Sequence, residues 1–149
     1  VELRVGMSAE EVDSVVSDML SSVPYAIGVN NHEGSRATAD PQLMAAVMNV
    51  LRARNLFFVD SRTTAATVAY DAARQAGVPA ASRKVFLDDV ETREAVLAQL
   101  ELAARDAARD GSAIAIGHPH PVTLAALAEA LPKLQTQGIR LVFVSSLVQ

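Results

Sequence analysis

The sequence predicts an α/β protein made of parallel β/α repeats, on three observations. Its strand-like segments are continuous apolar runs such as Leu56-Phe-Phe-Val59, not alternating ones. That is how strands read when helices cover both faces of a sheet. Helical segments separate those runs in steady alternation. Polar residues with chemical capacity follow each run directly, as at the carboxyl edge of a parallel sheet.

The elements follow in order. Ser8-Ala-Glu-Glu11 has the form of a capping box. It opens a helix to about Leu20, with Val12, Val15, Val16 and Met19 on one face. A strand follows Pro24, over Tyr25–Val29. Asp40-Pro41 is an N-cap with proline at the first helical position, and that helix runs to about Arg54. Leu56–Val59 is the second strand. A helix from about Thr64 ends before Gly77, a C-cap glycine. Lys84–Leu87 is the third strand. Glu91–Arg109 is the longest helix, stopped by Gly111. Ala113–Ile116 is the fourth strand. A helix begins at Pro121 and is expected to break near Pro132. Leu141–Val144 is the last strand.

Half of the 149 residues are apolar and only 4% aromatic, so the core must be aliphatic. The length suits one domain. A net charge of −4 argues against a nucleic-acid partner, which calls for a basic face. With no cysteine, disulfides and thiolate metal sites are excluded. There is no apolar run of roughly 18 residues, and hence no expected membrane span. Neither a G-x-S-x-G elbow nor a phosphate-binding G-x-x-x-x-G-K-[ST] loop is present, which weakens serine hydrolase and nucleotide-binding readings.

The strand-end loops carry the chemistry. The first holds Asn30, Asn31, His32, Glu33, Ser35 and Arg36, and the second Asp60, Ser61, Arg62 and Thr63. The third holds Asp88 and Asp89, the fourth His118 and His120, the fifth Ser145 and Ser146. All three histidines of the chain lie in these loops. Imidazole and carboxylate suit zinc or a similar divalent ion, and neutral histidine suits acid–base work near pH 7. His32, Asp60 and His118 are therefore candidates either to hold a metal together or to divide metal binding and proton transfer. Asp88 and Asp89 read as helix caps, His120 as a neighbour of the helix start at Pro121, and Ser145 and Ser146 as turn residues.

Four stretches carry a family resemblance. They are Gly28-Val-Asn-Asn-His-Glu-Gly-Ser-Arg36, Phe58-Val-Asp-Ser-Arg-Thr-Thr64, Arg83-Lys-Val-Phe-Leu-Asp88 and Ile116-Gly-His-Pro-His-Pro121. In these the chain resembles the divergent polysaccharide deacetylases, a branch of the NodB-like carbohydrate deacetylases. The resemblance implies part of a distorted, incomplete (β/α) barrel and metal-assisted hydrolysis of an N- or O-acetyl group on a sugar. It implies a divalent ion, zinc by preference, with His32 and Asp60 as ligands. His32 stands at the first histidine of the superfamily's H-x-x-x-H motif, whose second position here is Arg36. His118 stands at the late histidine that acts as general acid, and Arg83 accompanies it as a catalytic candidate. Asn30, Asn31, Ser35 and Arg62 are candidate substrate contacts. Arg62 or Arg83 would suit an acidic sugar.

The superfamily's early Asp-Asp pair has no counterpart here. The chain is therefore expected to be the C-terminal part of a domain with one or two further β/α units ahead of Val1. A polysaccharide substrate implies a periplasmic or otherwise extracytoplasmic setting. A catalytically inactive glycan-binding module on the same fold is the alternative, favoured by the broken histidine motif. A phosphotransfer or flavodoxin-like domain ranks third, because it leaves the histidine loops unexplained.

Overall fold

The computed structural model describes residues 2–149. These form two compact units, one of residues 2–82 with Val148–Gln149, the other Arg83–Leu147. Both are mixed α/β with parallel strands, and the strands make no closed barrel among the described residues.

The first unit begins with α1 (Ala9–Ser21), whose predicted capping box is present: Glu11 N–H donates to Ser8 Oγ and Ser8 N–H to Glu11 Oε2. Next come β1 (Gly28–Asn30), a short helix α2 (Ser35–Thr38) and α3 (Pro41–Ala53). At the start of α3, Asp40 Oδ1 accepts from Leu43 N–H at 2.8 Å. β2 (Phe57–Asp60), α4 (Ala69–Ala76) and β3 (Ala80–Ser82) complete the unit. The sheet order is β1-β2-β3, all parallel, with Val29 opposite Phe58 and Phe58 opposite Ala80. Val12, Met48, Leu51, Phe58 and Val78 centre a mostly aliphatic core on which α1, α3 and α4 pack.

Three departures from the sequence reading have local causes. The first strand is displaced toward the polar loop, because Tyr25 is 94% exposed and turns ahead of the sheet. The helix expected from Thr64 starts five residues later, at Ala69. Thr67 Oγ1 donates to Asp60 and Val68 N–H to the Thr38 carbonyl, partners that compete with a helical turn. Ala80–Ser82 is an added strand, held on one side by β2 and on the other by reciprocal backbone bonds with Gln149.

Gly28 is required for close approach. A Cβ there would lie 2.2–2.4 Å from three ring atoms of Phe57, its neighbour across the ladder. Gly28→Ala must displace that ring, and we expect a loss of about 1–3 kcal/mol, measured by urea unfolding. An unchanged midpoint would mean the ring moves aside without consequence.

The second unit contains β4 (Val85–Phe86), α5 (Arg93–Asp110), β5 (Ala115–Ile116) and α6 (Pro121–Thr136). β4 and β5 are parallel, with Val85 opposite Ala115 and Phe86 opposite Ile116. Val96 and Leu100 of α5 and Ala126, Ala130 and Leu134 of α6 pack with Val85 and Leu87. α6 runs through Pro132 instead of breaking there. Burial of Leu134 holds the last turn in place although Pro132 lacks an N–H for the ladder.

The fifth strand is a correction. Leu141–Val144 forms no strand; Val144–Ser146 is a 3₁₀ turn and Phe143 is 87% exposed. An apolar run becomes a strand only when a neighbour completes its backbone hydrogen bonds, and none does so here among the described residues.

Candidate functional site

In the second unit the site is built where two adjacent parallel strands end. Backbone bonds from Lys84 and Leu87 to Ile114 and Ile116 carry the β4–β5 pairing to the strand ends. Asp88 follows the first strand, and Gly117 and His118 follow the second. Asp88 is 4% exposed and fully engaged. Its Oδ2 accepts from His118 N–H at 2.6 Å and from Thr123 Oγ1 at 2.9 Å. Its Oδ1 lies 3.1 Å from His118 Nδ1.

Burial by itself would raise the Asp88 pKa. The His118 N–H, the Thr123 hydroxyl and the His118 ring outweigh it and hold the carboxyl below its usual range. An ionised carboxylate only accepts, so the hydrogen in the Oδ1–Nδ1 bond belongs to Nδ1. The acid–base chemistry of the His118 ring then falls to Nε2. Phe86 meets the same ring edge-on at 5.6 Å, and the Arg83 guanidinium lies 5.2 Å over the Phe86 ring. Arg83 thus stacks on the aromatic ring that packs against His118.

His120 is the residue the sequence reading set aside. Its ring centroid is 5.3 Å from that of His118, and its Nε2 is 3.7 Å from Glu91 Oε1. It lies in His118-Pro-His-Pro121. A residue before proline is driven to extended backbone, and His120 has φ −68° and ψ 145°. The loop brings the two imidazoles side by side, their centroids 5.3 Å apart. Asp88, His118 and His120 each offer a ligand atom, all within 4.8 Å of one another. This is the group of three such donors found among the described residues. Asp88 is not the cap of α5: that position belongs to Thr92, which accepts from Ala95 N–H.

The other candidates belong to the first unit, where they knit two loops together. Asn31 Oδ1 accepts from Ser61 N–H at 2.8 Å, and Asn30 Nδ2 donates to Ser61 Oγ at 3.1 Å. Ser35 Oγ donates to the Thr63 carbonyl, and Thr63 Oγ1 to the Glu33 carbonyl. Asp60 is completely buried. Its Oδ1 accepts from Arg62 N–H at 2.8 Å and its Oδ2 from Thr67 Oγ1 at 3.0 Å. Glu33 and Arg62 have φ of 54° and 49°, a left-handed backbone that these bonds sustain. Both oxygens of Asp60 therefore serve its own loop. His32 follows β1 in the loop it shares with Asn31.

Fold and site together define a parallel α/β protein with an aspartate–histidine pair and a second histidine at adjoining strand ends. The model for divergent polysaccharide deacetylases matches residues 2–148, and the chain belongs to that family. It is 46% identical over 145 residues to an uncharacterized protein of Haemophilus influenzae, covering 97% of this chain and 51% of the relative. It is 42% identical over 146 residues to the uncharacterized protein YibQ of Escherichia coli, covering 98% of this chain and 46% of the relative. The chain thus spans about half the length of these curated relatives. A crystal structure of an uncharacterized protein from Agrobacterium tumefaciens C58 matches it with a TM-score of 0.87 at 27% identity. That match covers 96% of this chain and 58% of the other.

Proposed function

We propose that Asp88, His118 and His120 form the reaction centre of a hydrolase that removes acetyl groups from N- or O-acetylated polysaccharides. One observation carries this reading: buried Asp88 grips both the backbone N–H and the ring Nδ1 of His118. That grip sets the tautomer and orientation a proton acceptor and donor needs. In this mechanism His118 Nε2 takes a proton from the attacking water as its oxygen bonds to the acetyl carbon, and returns that proton to the departing sugar nitrogen or oxygen as the C–N or C–O bond breaks. Water contributes the new oxygen of acetate. Phe86 limits the swing of the His118 ring.

The donor set also suits a divalent ion, zinc first by its nitrogen and oxygen chemistry. The three ligand atoms all lie within 4.8 Å of one another, within reach of a single ion. An ion held by Asp88, His118 and His120 would supply polarisation of the acetyl carbonyl and a more acidic water. It would take the place of the proton between Asp88 and His118, so the two uses of that pair alternate. Substrates of this kind belong to cell envelopes, and a periplasmic or other extracytoplasmic setting is part of the proposal.

A second reading is a glycan-binding module without turnover. It is favoured by Arg36 at the second position of the histidine motif and by the closed hydrogen bonding of Asp60. Acetate release from N-acetylglucosamine oligomers and an O-acetylated glycan separates the two. It is measured on the protein as encoded, with added zinc and after chelation. Release that persists after chelation is expected; release that zinc raises and chelation abolishes would assign the three residues to metal binding instead. Release indifferent to both would assign Asp88–His118 to proton transfer alone. Glycan binding without acetate would overturn the hydrolase.

A further inference from the structure

We propose that Gly117 and Thr123 are positioning residues that seat the Asp88 carboxylate so that its Oδ1 faces His118 Nδ1. The inference deepens the reading of the Asp88–His118 pair given above and rests on it. An aspartate carboxylate turns easily about its last torsion, so its plane must be set by what it touches. Thr123, in the first turn of α6, is 1% exposed and donates to Oδ2 at 2.9 Å. His118 N–H donates to the same oxygen from the end of β5 at 2.6 Å. Two donors from different elements fix Oδ2, and the rigid carboxylate then aims Oδ1 at the ring.

Gly117 supplies the space. A Cβ at this position would stand 3.1 Å from Asp88 Oδ2 and from Leu87 Cβ, and 3.4 Å from Asp88 Cγ. Those distances are tighter than ordinary contact, and Leu87 is buried in the core, so it has little room to yield. An added methyl therefore moves the carboxylate. Gly117 permits the backbone to lie against Asp88, and Thr123 locks the carboxylate in that seat.

The test reads the His118 tautomer directly, by ring ¹⁵N chemical shifts of the metal-free protein above the titration range. With three histidines in the chain, His32→Gln and His120→Gln complete the assignment. The native ring should be mainly Nδ1–H. Thr123→Val keeps the shape, removes the hydroxyl, and should lower the ratio of Nδ1–H to Nε2–H about fivefold, the value of one ordinary hydrogen bond. Thr123→Ser should restore it to within about twofold. Gly117→Ala should lower it in the same direction with every hydroxyl intact. If Thr123→Val does not fold, Gly117→Ala and Thr123→Ser decide. Folded variants with the native ratio would overturn the proposal. A ratio that moves in a protein releasing no acetate would leave the seat standing and remove the deacetylase.

Discussion

Replacing His118 with asparagine should lower acetate release by about 10²–10⁴-fold, the usual worth of a positioned general acid. The fall should appear in kcat with KM little changed, because the proton is transferred only as bonds form and break. Asparagine keeps an amide donor that can face Asp88 Oδ1, so the seat of the carboxylate survives. The His118 side chain is 37% exposed, and its loss removes little packing. The thermal midpoint should therefore stay nearly in place, which separates a chemical role from a structural one. Unchanged turnover would remove His118 from the reaction and leave the glycan-binding reading.

Asp88→Ala should unfold the protein more readily, by about 2–4 kcal/mol in urea. The reason is not the charge itself but what it leaves behind. His118 N–H and the buried Thr123 hydroxyl both lose their acceptor, and a buried donor without a partner costs about 1–3 kcal/mol. Acetate release should fall with it, since the His118 ring loses its anchor. Asp88→Asn isolates the charge. The folded pKa of Asp88 lies below the ordinary 3.8, so its carboxylate adds stability that is complete above that value. That contribution fades as pH falls through the lower, folded value. The advantage of the native protein over Asp88→Asn should shrink as pH falls below 3.8. An advantage that grew as pH fell below 3.8 would contradict the sign of the shift.

The starts of α1 and α3 were readable because their signals are local. The Ser8–Glu11 box and the Asp40-Pro41 cap use side chains within four residues of one another. Strands were less secure, because a strand is completed by a neighbour distant in sequence. Leu141–Val144 has the composition of a strand but no ladder partner among the described residues, whereas Ala80–Ser82 is less apolar and is paired on both sides. The family was legible for a related reason: its motifs sit at strand ends, where short stretches carry the chemistry. Asp88 was misassigned as a cap because its partners, His118 and Thr123, lie about thirty residues further along the chain. The proximity of His120 to His118 is set by the turn into α6 and not by a local sequence signal.

The amino-acid order alone determined the α/β class, the apolar core, the caps of α1 and α3 and the loops that hold every histidine. All of these follow from periodicity, capping chemistry and the polarity of strand ends, which act over a few residues. Tertiary structure decided which carboxylate serves which histidine. Asp60 was turned inward to brace its own loop, and Asp88 was brought to His118 by the parallel pairing of β4 and β5. Both aspartates follow apolar runs and look alike in sequence. Their roles diverge because a buried carboxylate takes whatever donors the packed backbone brings within about 3 Å, and only packing determines which donors those are.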